Sequence, residues 1–529
     1  MKVYGASFVK IGSMNRDEVT YMDEDEMLAK QDALPDSDWS VFGDLEEPRT
    51  DYSNSCPFNI HLFSSDIHFA EAVQYLCSVI GYDLDRAVIH MGMVIANLYK
   101  TYMLDPDRWI GYSRGTGKYK LLFRYNRQRI TYRPLMKVIE GLIENEYVEP
   151  LSFSYNKVTG EGRCSRIRAT NKLIELLGSY QVKEDMIRVH ENEEVIILKD
   201  DDKEVIDYED NSETDAMRAQ VERYNHFLQK TYIDLHHDGF VPKKTLYVDL
   251  TSKRVRRIFN NGSFSLGGRY YGGWWMGLPE ALRHRIIINN QKVVECDFSS
   301  MSIHILYALE GINYGLKGKD AYTLPDYDGD KKTRKLFKML VLAVLNAPTI
   351  RIALTSLKYK IEDNPSDYPT NIPDLKQVLS DFKDYHQPIA KYFDPDNKDV
   401  GLKTMYHDSQ IAERVISSLM DKDIPVLSVH DSFICPALNY NDLYDAMVSA
   451  YRYFYNEQLE YVSDIRAIIN IKYSELEYET EYPCASEYSE YYYDITTIQD
   501  LDLIKRLMYY DDTGSIPVLS QVKLIGVDS

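Results

Sequence analysis

The sequence lacks the features that mark secreted, zinc-knuckle and membrane-spanning proteins. Its six cysteines are scattered over 529 residues without a CxxC pair. This pattern excludes a zinc knuckle and a disulfide framework, and it is typical of a reducing compartment. No apolar run reaches the roughly 18 residues of a transmembrane helix, and the first residues, MKVYGASFVKIG, lack the apolar segment of a signal peptide. We therefore expect a soluble, cytoplasmic protein with no membrane partner.

Positive charge is also scarce, because 61 Lys and Arg stand against 82 Asp and Glu for a net charge of −21. This balance excludes nucleic-acid binding over the whole surface but leaves room for a local basic groove. One stretch departs from the acidic background. Residues 111 to 137, GYSRGTGKYKLLFRYNRQRITYRPLMK, carry eight Lys and Arg and no acid. Such a block in an acidic protein favours a local contact with nucleic acid.

The pattern around and after this block indicates helix, strand, turn, strand and helix. Leu135, Val138, Ile139 and Leu142 recur at helical spacing, and YNKVTGEGR supplies a glycine-containing turn. This order resembles a winged helix, in which a basic β-wing follows a recognition helix. The alternative is an ordinary α+β lobe with a solvated basic face. The candidate nucleic-acid contacts of this region are Arg129, Arg133, Lys137, Arg163, Arg166 and Arg168.

Two aspartates occupy matching places between apolar segments. Asp297 ends the run VVECDF, and Asp431 lies inside PVLSVHDSFICP. An aspartate at a strand end and one at a hairpin tip can face each other, and two ionised carboxylates a few ångströms apart repel strongly. Divalent cations usually relieve that repulsion, and Mg²⁺ prefers carboxylate oxygen. We therefore predict that Asp297 and Asp431 are catalytic ligands of two Mg²⁺ ions, for which Mn²⁺ can substitute. The alternative is that each aspartate caps a backbone amide.

The motifs around these aspartates resemble the right-hand palm of family A DNA polymerases and of single-subunit, phage-type RNA polymerases. CDFSSMSIHILYALEG resembles motif A, and VHDSFI resembles motif C. Between them, KKTRKLFKMLVLAVLNA resembles motif B, with Arg334 and Lys338 one helical turn apart. GGRYYGGWWMGLPEALRHR resembles the approach to motif A, and HDSQIAERVISSL resembles the helix before motif C. The resemblance covers residues 250 to 475.

This resemblance implies template-directed nucleotidyl transfer from nucleoside triphosphates, with DNA or RNA as template and product strand. It implies that Arg334 and Lys338 neutralise the triphosphate, and we also count Lys338 as catalytic. It further implies that the backbone around Phe298 and Ser299 seats metal and phosphate. Three further nucleic-acid contacts are implied, by Arg269, Gln410 and His430.

The sugar preference depends on the residue five positions after Asp297. DNA polymerases of this family carry a glutamate there that blocks a 2′-hydroxyl, whereas this chain carries Ser302. The serine leaves room for that hydroxyl, and Asn346, which replaces the usual aromatic residue of motif B, could bond it. We therefore expect a ribonucleotide-competent RNA polymerase or a primase-like enzyme in a host or virus-infected cell. The alternatives are a DNA polymerase without proofreading, a template-independent polymerase, and a non-catalytic replication initiator or repressor with a degenerate palm.

The expected fold is α+β, with an N-terminal helical and winged-helix-like lobe followed by a family A-like palm with helical fingers. We expect the acidic stretch of residues 181–213 to be a linker or a β-hairpin edge, and Thr214 or Asp215 to cap the helix that follows it. The predicted regions are an acidic and helical region 1–104, a winged-helix-like nucleic-acid-binding domain 105–180, an acidic linker and helix 181–239, the palm and fingers 240–475, and a Tyr- and acid-rich C-terminal region 476–529.

Overall fold

The structure is a computed structural model that describes residues 54–82, 84–115, 119, 122–151, 154–155, 162–190, 193–242, 244–317, 319–394, 398–458, 469–473, 499–517 and 521–526. The acidic N-terminal stretch, most of the predicted turn YNKVTGEGR, and residues 476–498 of the Tyr- and acid-rich region lie outside these residues.

The described helices are α1 (Ile67–Val79), α2 (Leu84–Leu104), α3 (Tyr132–Glu144), α4 (Asn171–Ser179), α5 (Ser212–Lys230), α6 (Glu280–Arg283), α7 (Met301–Leu309), α8 (Lys331–Asn346), α9 (Ile350–Asp363), α10 (Leu375–Tyr385), α11 (Val400–Met420), α12 (Tyr440–Gln458) and α13 (Leu501–Thr513). Among these residues, no helix combines the length and the apolar character needed to span a bilayer.

The described strands are β1 (Ser55–Pro57), β2 (Leu62–Phe63), β3 (Trp109–Tyr112), β4 (Val148–Leu151), β5 (Ser154–Tyr155), β6 (Gly162–Arg163), β7 (Ser165–Ala169), β8 (Arg188–Val189), β9 (Ile196–Leu198), β10 (Ile233–Leu235), β11 (Leu246–Asp249), β12 (Arg256–Asn260), β13 (Ser263–Tyr271), β14 (Ile286–Ile288), β15 (Val293–Phe298), β16 (Leu427–Val429), β17 (Ser432–Pro436), β18 (Ile469–Tyr473) and β19 (Gln521–Leu524). The chain mixes helices and sheets, as expected from the sequence.

The N-terminal lobe has one hydrophobic core, whose buried residues run from Leu62 to Ile187. Its sheet has the strand order β1-β3-β7-β4, and α1 to α4 contribute their apolar faces. Leu135, Val138, Ile139 and Leu142 are all buried on α3, as their spacing predicts. The expected boundary at residue 104 lies inside this core because α2 packs against both α3 and β7. Helix α2 therefore belongs to the same folding unit as the basic region that follows it.

The second core extends from Val195 to Leu524 and surrounds a sheet of order β16-β17-β15-β18. The C-terminal elements belong to this core, since β19 pairs with β11 and α13 buries Leu503 and Leu507. The fully buried carboxylate of Asp234 on β10 accepts hydrogen bonds from the Arg506 guanidinium of α13 at 2.6 and 3.2 Å. The predicted boundary at 475 therefore cuts through one packed unit.

The third core is helical and lies between motif A and motif C in the sequence. Its buried residues run from Ile303 to Val400, and α8, α9 and α10 supply much of it. This unit is inserted between α7 and α11, which both pack on the second core. Helix α8 carries the residues that resemble motif B.

Helix α5 begins at Ser212, earlier than the capping residues that we predicted from the sequence. Asn211 Oδ1 accepts the backbone N–H groups of Glu213 and Thr214, each at 2.9 Å. Thr214 Oγ1 in turn accepts the N–H of Asn211 at 2.9 Å. The expected cap at Thr214 or Asp215 was wrong because this reciprocal capping box satisfies the first free N–H groups of the helix.

A buried arginine ties the sheet of β12 and β13 to α11. The side chain of Arg257 is fully buried, and its Nε donates to the Gly268 carbonyl at 2.7 Å. Its two terminal nitrogens reach Glu413 and Ser409 on α11. Gly268 allows this approach, because its φ is +83° and an added Cβ would lie 2.6 Å from the Phe259 ring.

We predict that Arg257→Met lowers the free energy of unfolding by about 3 kcal/mol, because it leaves the Glu413 carboxylate and a buried carbonyl without their donor. Arg256→Met, on the adjacent and exposed position of the same strand, is the matched control and should change it by less than about 0.5 kcal/mol. Urea denaturation of both variants measures the difference. Equal effects of the two substitutions would contradict this role of Arg257.

Candidate active site

The two predicted aspartates lie close together at one end of the sheet of order β16-β17-β15-β18. Strands β15 and β17 pair antiparallel with Asp297 opposite Ser432. Asp431 lies in the turn between β16 and β17, and its backbone carbonyl accepts the N–H of Phe298 at 3.2 Å. Residues directly opposite in such a ladder have Cα atoms about 5 Å apart. The backbone therefore brings the two aspartates close together, and both residues are half-buried.

A buried glutamate, Glu295, stabilises the position of the strand that carries Asp297. Glu295 is 2% exposed and lies on the same face of β15, two residues earlier. Arg283 donates to both of its carboxylate oxygens, at 2.9 and 3.1 Å. The Ser432 hydroxyl donates to the same carboxylate at 2.7 Å. Glu295 is thus neutralised by its own arginine and also links β15 to the strand that follows Asp431.

A third carboxylate, Asp408 on α11, lies close enough to Asp431 to interact with it electrostatically. Asp408 is 3% exposed, and its Oδ2 accepts a hydrogen bond from Arg269 Nε at 2.8 Å. Burial raises the pKa of Asp408 to about 6, and the charge of Asp431 adds to this rise, while Arg269 and His430 oppose it. The sequence did not point to Asp408 as a site residue.

The turn of motif C is held by an aromatic contact with β13. His430 has a positive φ of 58°, and its ring meets the Tyr271 ring edge-on at a centroid distance of 5.5 Å. Tyr271 and Arg269 project from the same face of β13, two residues apart. Strand β13 therefore contacts Asp408 through Arg269 and the turn that carries Asp431 through Tyr271.

The motif B helix approaches the aspartates through its N-terminal half. Arg334 on α8 donates twice to Asp320 Oδ2, at 3.0 and 2.6 Å. The buried Tyr322 ring lies beneath the Arg334 guanidinium at 5.5 Å. Burial raises the pKa of Tyr322, with Arg334 opposing the shift and Asp320 and Asp431 adding to it. Tyr322 therefore lies within electrostatic reach of both the basic helix and the motif C aspartate.

The remaining predicted nucleotide-binding residues differ in accessibility. Lys338 is exposed, while Ser299 and Ser302 are half-buried around the start of α7. The Phe298 ring is 3% exposed and stacks on Tyr451 at 5.8 Å. The Phe298 N–H also donates to the Asp431 carbonyl, so Phe298 links the two segments that carry the aspartates, and its part in seating metal and phosphate stays a prediction.

Asn346 and Gln410 are the last two of the predicted site residues in this part of the chain. Asn346 Nδ2 donates to the Leu342 carbonyl at 2.9 Å within α8. This bond would have to break before the Nδ2 group could donate to a sugar hydroxyl. Gln410 is half-buried on α11, two residues after Asp408. Neither residue has a contact in the described part that joins it to Asp297 or Asp431.

The predicted basic contacts of the N-terminal lobe fall into two groups. Arg129, Arg133 and Lys137 are exposed, the last two on one face of α3. By contrast, Arg168 is bonded to Glu149 at 2.8 Å and to Asp107 at 3.3 Å, so its charge is largely neutralised within the lobe. Arg166 is half-buried on β7, and Arg163 lies on β6.

Another group of potential metal ligands lies away from the aspartate pair. His237, Asp238 and Asp500 have ligand atoms within 4.8 Å of one another. Asp238 Oδ2 accepts the backbone N–H groups of Gln499 and Asp500, at 2.6 and 2.9 Å. This bonding explains the cluster as a tether at the start of α13 without any ion.

No protein-family model and no curated protein matches the chain. The chain is similar to a DNA polymerase domain. The solved structure is the POL domain of Pol1 from M. smegmatis in complex with DNA primer-template and dNTP. The match has 12% sequence identity and a TM-score of 0.25, and it covers 78% of this chain and 66% of that one. The chain thus spans just under two thirds of that structure, and at this level of similarity no residue role carries over.

We predict that Asp408 lowers stability as pH rises from about 4 to 6. A buried carboxyl whose pKa is raised to about 6 binds its proton more tightly in the folded than in the unfolded state, so stability falls on ionisation. Relative to Asp408→Asn, the wild type should lose up to about 3 kcal/mol of unfolding free energy across this range. Urea denaturation of both proteins between pH 4 and 7, in a chelator, measures it. If the wild type instead gained stability relative to Asp408→Asn as pH rises, the attraction of Arg269 for the ionised carboxylate would exceed the cost of burying it.

Proposed function

We propose that this chain is a template-directed nucleotidyltransferase. In the reaction, the 3′-hydroxyl oxygen of a growing strand forms a bond to the α-phosphorus of a nucleoside triphosphate. The bond to the β-phosphate bridging oxygen breaks, the hydroxyl loses its proton, and pyrophosphate leaves. The single observation that supports the proposal is the pairing of β15 with β17, which brings Asp297 close to Asp431.

The donor set fits hard divalent cations, since two adjacent carboxylates offer the oxygen ligands that Mg²⁺ and Mn²⁺ prefer. Asp297 and Asp431 would hold the ions. When bound, two such ions would lower the pKa of the attacking hydroxyl and stabilise the leaving pyrophosphate. Glu295 and Asp408 are assigned to positioning, because each is buried and bonded to its own arginine.

The basic half of α8 would bind the triphosphate. Lys338 is exposed and forms no ion pair in the described part of the chain. Arg334 holds Asp320 in a bond that a triphosphate oxygen can replace, because guanidinium binds carboxylate and phosphate with the same geometry. In this role Asp320 keeps Arg334 aligned on Tyr322 until the nucleotide arrives.

The nucleic acid would bind along the basic and polar residues that flank the aspartates. Arg269, Gln410 and His430 are assigned to the product duplex, beside the motif C turn. Arg133 and Lys137 on the exposed face of α3 extend the positive surface into the N-terminal lobe. The acid-free block supports the part of this assignment that concerns Arg133 and Lys137, because both side chains are exposed and can reach phosphate groups.

Ribonucleotides are the proposed substrates, and DNA synthesis without proofreading is the second candidate. Ser302 is half-buried in the first turn of α7, four residues after Phe298, and its side chain is small. Two aromatic residues that could act as steric gates, Tyr307 and Trp274, are 0% and 8% exposed within the cores. This burial supports Ser302 as the proposed position of sugar selection.

We predict that Asp297→Asn and Asp431→Asn each reduce nucleotide incorporation at least about 100-fold, equivalent to about 2.7 kcal/mol of transition-state stabilisation. The amide keeps the size of the side chain but loses the charge that holds a cation. Extension of a labelled primer in Mg²⁺ measures the rate.

Asp423→Asn is the matched control, because Asp423 lies in an exposed turn with a φ of 58° that asparagine also adopts. It should retain wild-type activity. If either active-site variant kept more than about a tenth of the wild-type rate with an unchanged melting temperature, that aspartate would not be a metal ligand.

We predict that Ser302→Glu suppresses incorporation of NTPs at least tenfold more than that of dNTPs, because the longer side chain would occupy the space of the 2′-hydroxyl. Parallel single-nucleotide kinetics with both substrates measure kcat/KM, and the dNTP reaction is the internal control. An equal loss with both substrates would place the sugar-selecting residue elsewhere.

A further inference from the structure

An exposed aromatic ring stands at the surface of the N-terminal lobe in the acid-free block. Phe123 is 54% exposed, although Tyr125, two residues later, is 6% exposed. Both belong to a short 3₁₀ turn, Phe123–Tyr125. A single exposed apolar ring is common on protein surfaces and needs no functional explanation. The residues around Phe123 therefore have to show whether this ring has a function.

The turn that carries Phe123 is anchored firmly to the rest of the protein. The Tyr125 hydroxyl donates to the Ile206 carbonyl at 3.0 Å and accepts the N–H of Leu198 at 3.1 Å. Arg124 is bonded to Asp207 at 2.8 Å and to Asp210 at 3.0 Å. The ring of Phe123 is therefore presented by a fixed backbone, and its exposure is not the result of a loose loop.

The residues after this turn are also held in place. Asn126 bonds Ile130 twice, with its side-chain oxygen accepting the Ile130 N–H and its Nδ2 donating to the Ile130 carbonyl, each at 2.8 Å. Arg129 has a φ of 53°, and its N–H donates to the Asn126 carbonyl at 2.9 Å. This closed loop returns the chain toward Phe123.

Two arginines of the loop lie against the Phe123 ring. The guanidinium carbons of Arg127 and Arg129 are 5.1 and 5.2 Å from the ring centroid. Both side chains are exposed, and neither forms an ion pair with a carboxylate within the described residues. Arg124 and Arg114 of the same block differ, since they are bonded to Asp207 and Glu140. Two positive charges therefore remain available beside one accessible aromatic ring.

We propose that Phe123, Arg127 and Arg129 form a stacking platform for an unpaired base of a single nucleic-acid strand. An aromatic face with flanking cations matches the two parts of such a strand, since the base stacks on the ring and the phosphates bind the guanidinium groups. The bases of a duplex are already stacked on each other, so the platform favours single strands. Arg133 and Lys137 continue the exposed positive surface along α3.

This inference rests on the proposed function in one respect, namely that the bound strand is the single-stranded template ahead of the palm. The platform itself is a binding site that operates without catalysis. Binding and incorporation can therefore be measured separately, and one can fail without the other.

The test uses the full chain and fluorescence anisotropy with labelled oligothymidylate, oligouridylate and a blunt duplex of the same length. Phe123→Ala should weaken single-strand binding about tenfold or more, while Phe123→Trp should retain it. Tyr509→Ala, at a 48% exposed aromatic residue of α13, is the matched control and should change nothing. Melting temperatures should stay at the wild-type value, because the Phe123 ring is mostly in solvent.

The salt dependence of binding tests Arg127 and Arg129 separately from Phe123. The double variant Arg127→Gln with Arg129→Gln should reduce the slope of log K against log salt by about 1.4, because two phosphate contacts are lost. Phe123→Ala should leave that slope unchanged. A loss of less than twofold for Phe123→Ala, or an equal loss with the duplex, would overturn the platform. If Phe123 proves necessary for binding but the wild type incorporates no nucleotide, the platform stands and the proposed catalysis fails.

Discussion

The candidate site depends on the antiparallel pairing of β15 with β17. This register sets Asp297 opposite Ser432, and the Phe298 N–H bonds the Asp431 carbonyl across the same ladder. A slip of one residue would turn Asp297 to the other face of the sheet and separate the two carboxylates. The Ser432 hydroxyl bonded to Glu295 fixes the same register from the side chains. The chemistry that we propose therefore rests on a strand alignment that core packing maintains.

Buried charge around this pair is organised by arginines from neighbouring elements. Arg283 neutralises Glu295, Arg269 meets Asp408, and Arg257 joins β12 to Glu413 on α11. A buried ion pair often adds little net stability, but removal of one partner is costly, so such pairs fix the arrangement of the elements they join. Together these ion pairs fix β13 and α11 beside the turn that carries Asp431. Helix α8 belongs to the helical unit, and its Arg334 lies over Tyr322.

The sequence singled out the aspartates and the basic helix as candidates, because apolar runs around a charged residue and a spacing of four residues are local patterns. It missed Asp408, which lies in a mixed polar helix and meets Arg269 across 139 residues of sequence. Periodicity cannot report such a pairing. Periodicity also does not report that α2 and α13 share hydrophobic cores with residues on the other side of the predicted boundaries at 104 and 475. The cap at Asn211 was missed because Thr214 serves as its reciprocal partner.

The most direct measurement of the central claim is incorporation of labelled nucleotides by the wild-type chain, with NTPs and dNTPs in parallel and with and without a template. We expect Mg²⁺-dependent extension that follows the template sequence and releases one pyrophosphate per nucleotide added. A chain that binds nucleic acid but incorporates no nucleotide with either Mg²⁺ or Mn²⁺, on any template, would contradict it and would favour a non-catalytic binding protein.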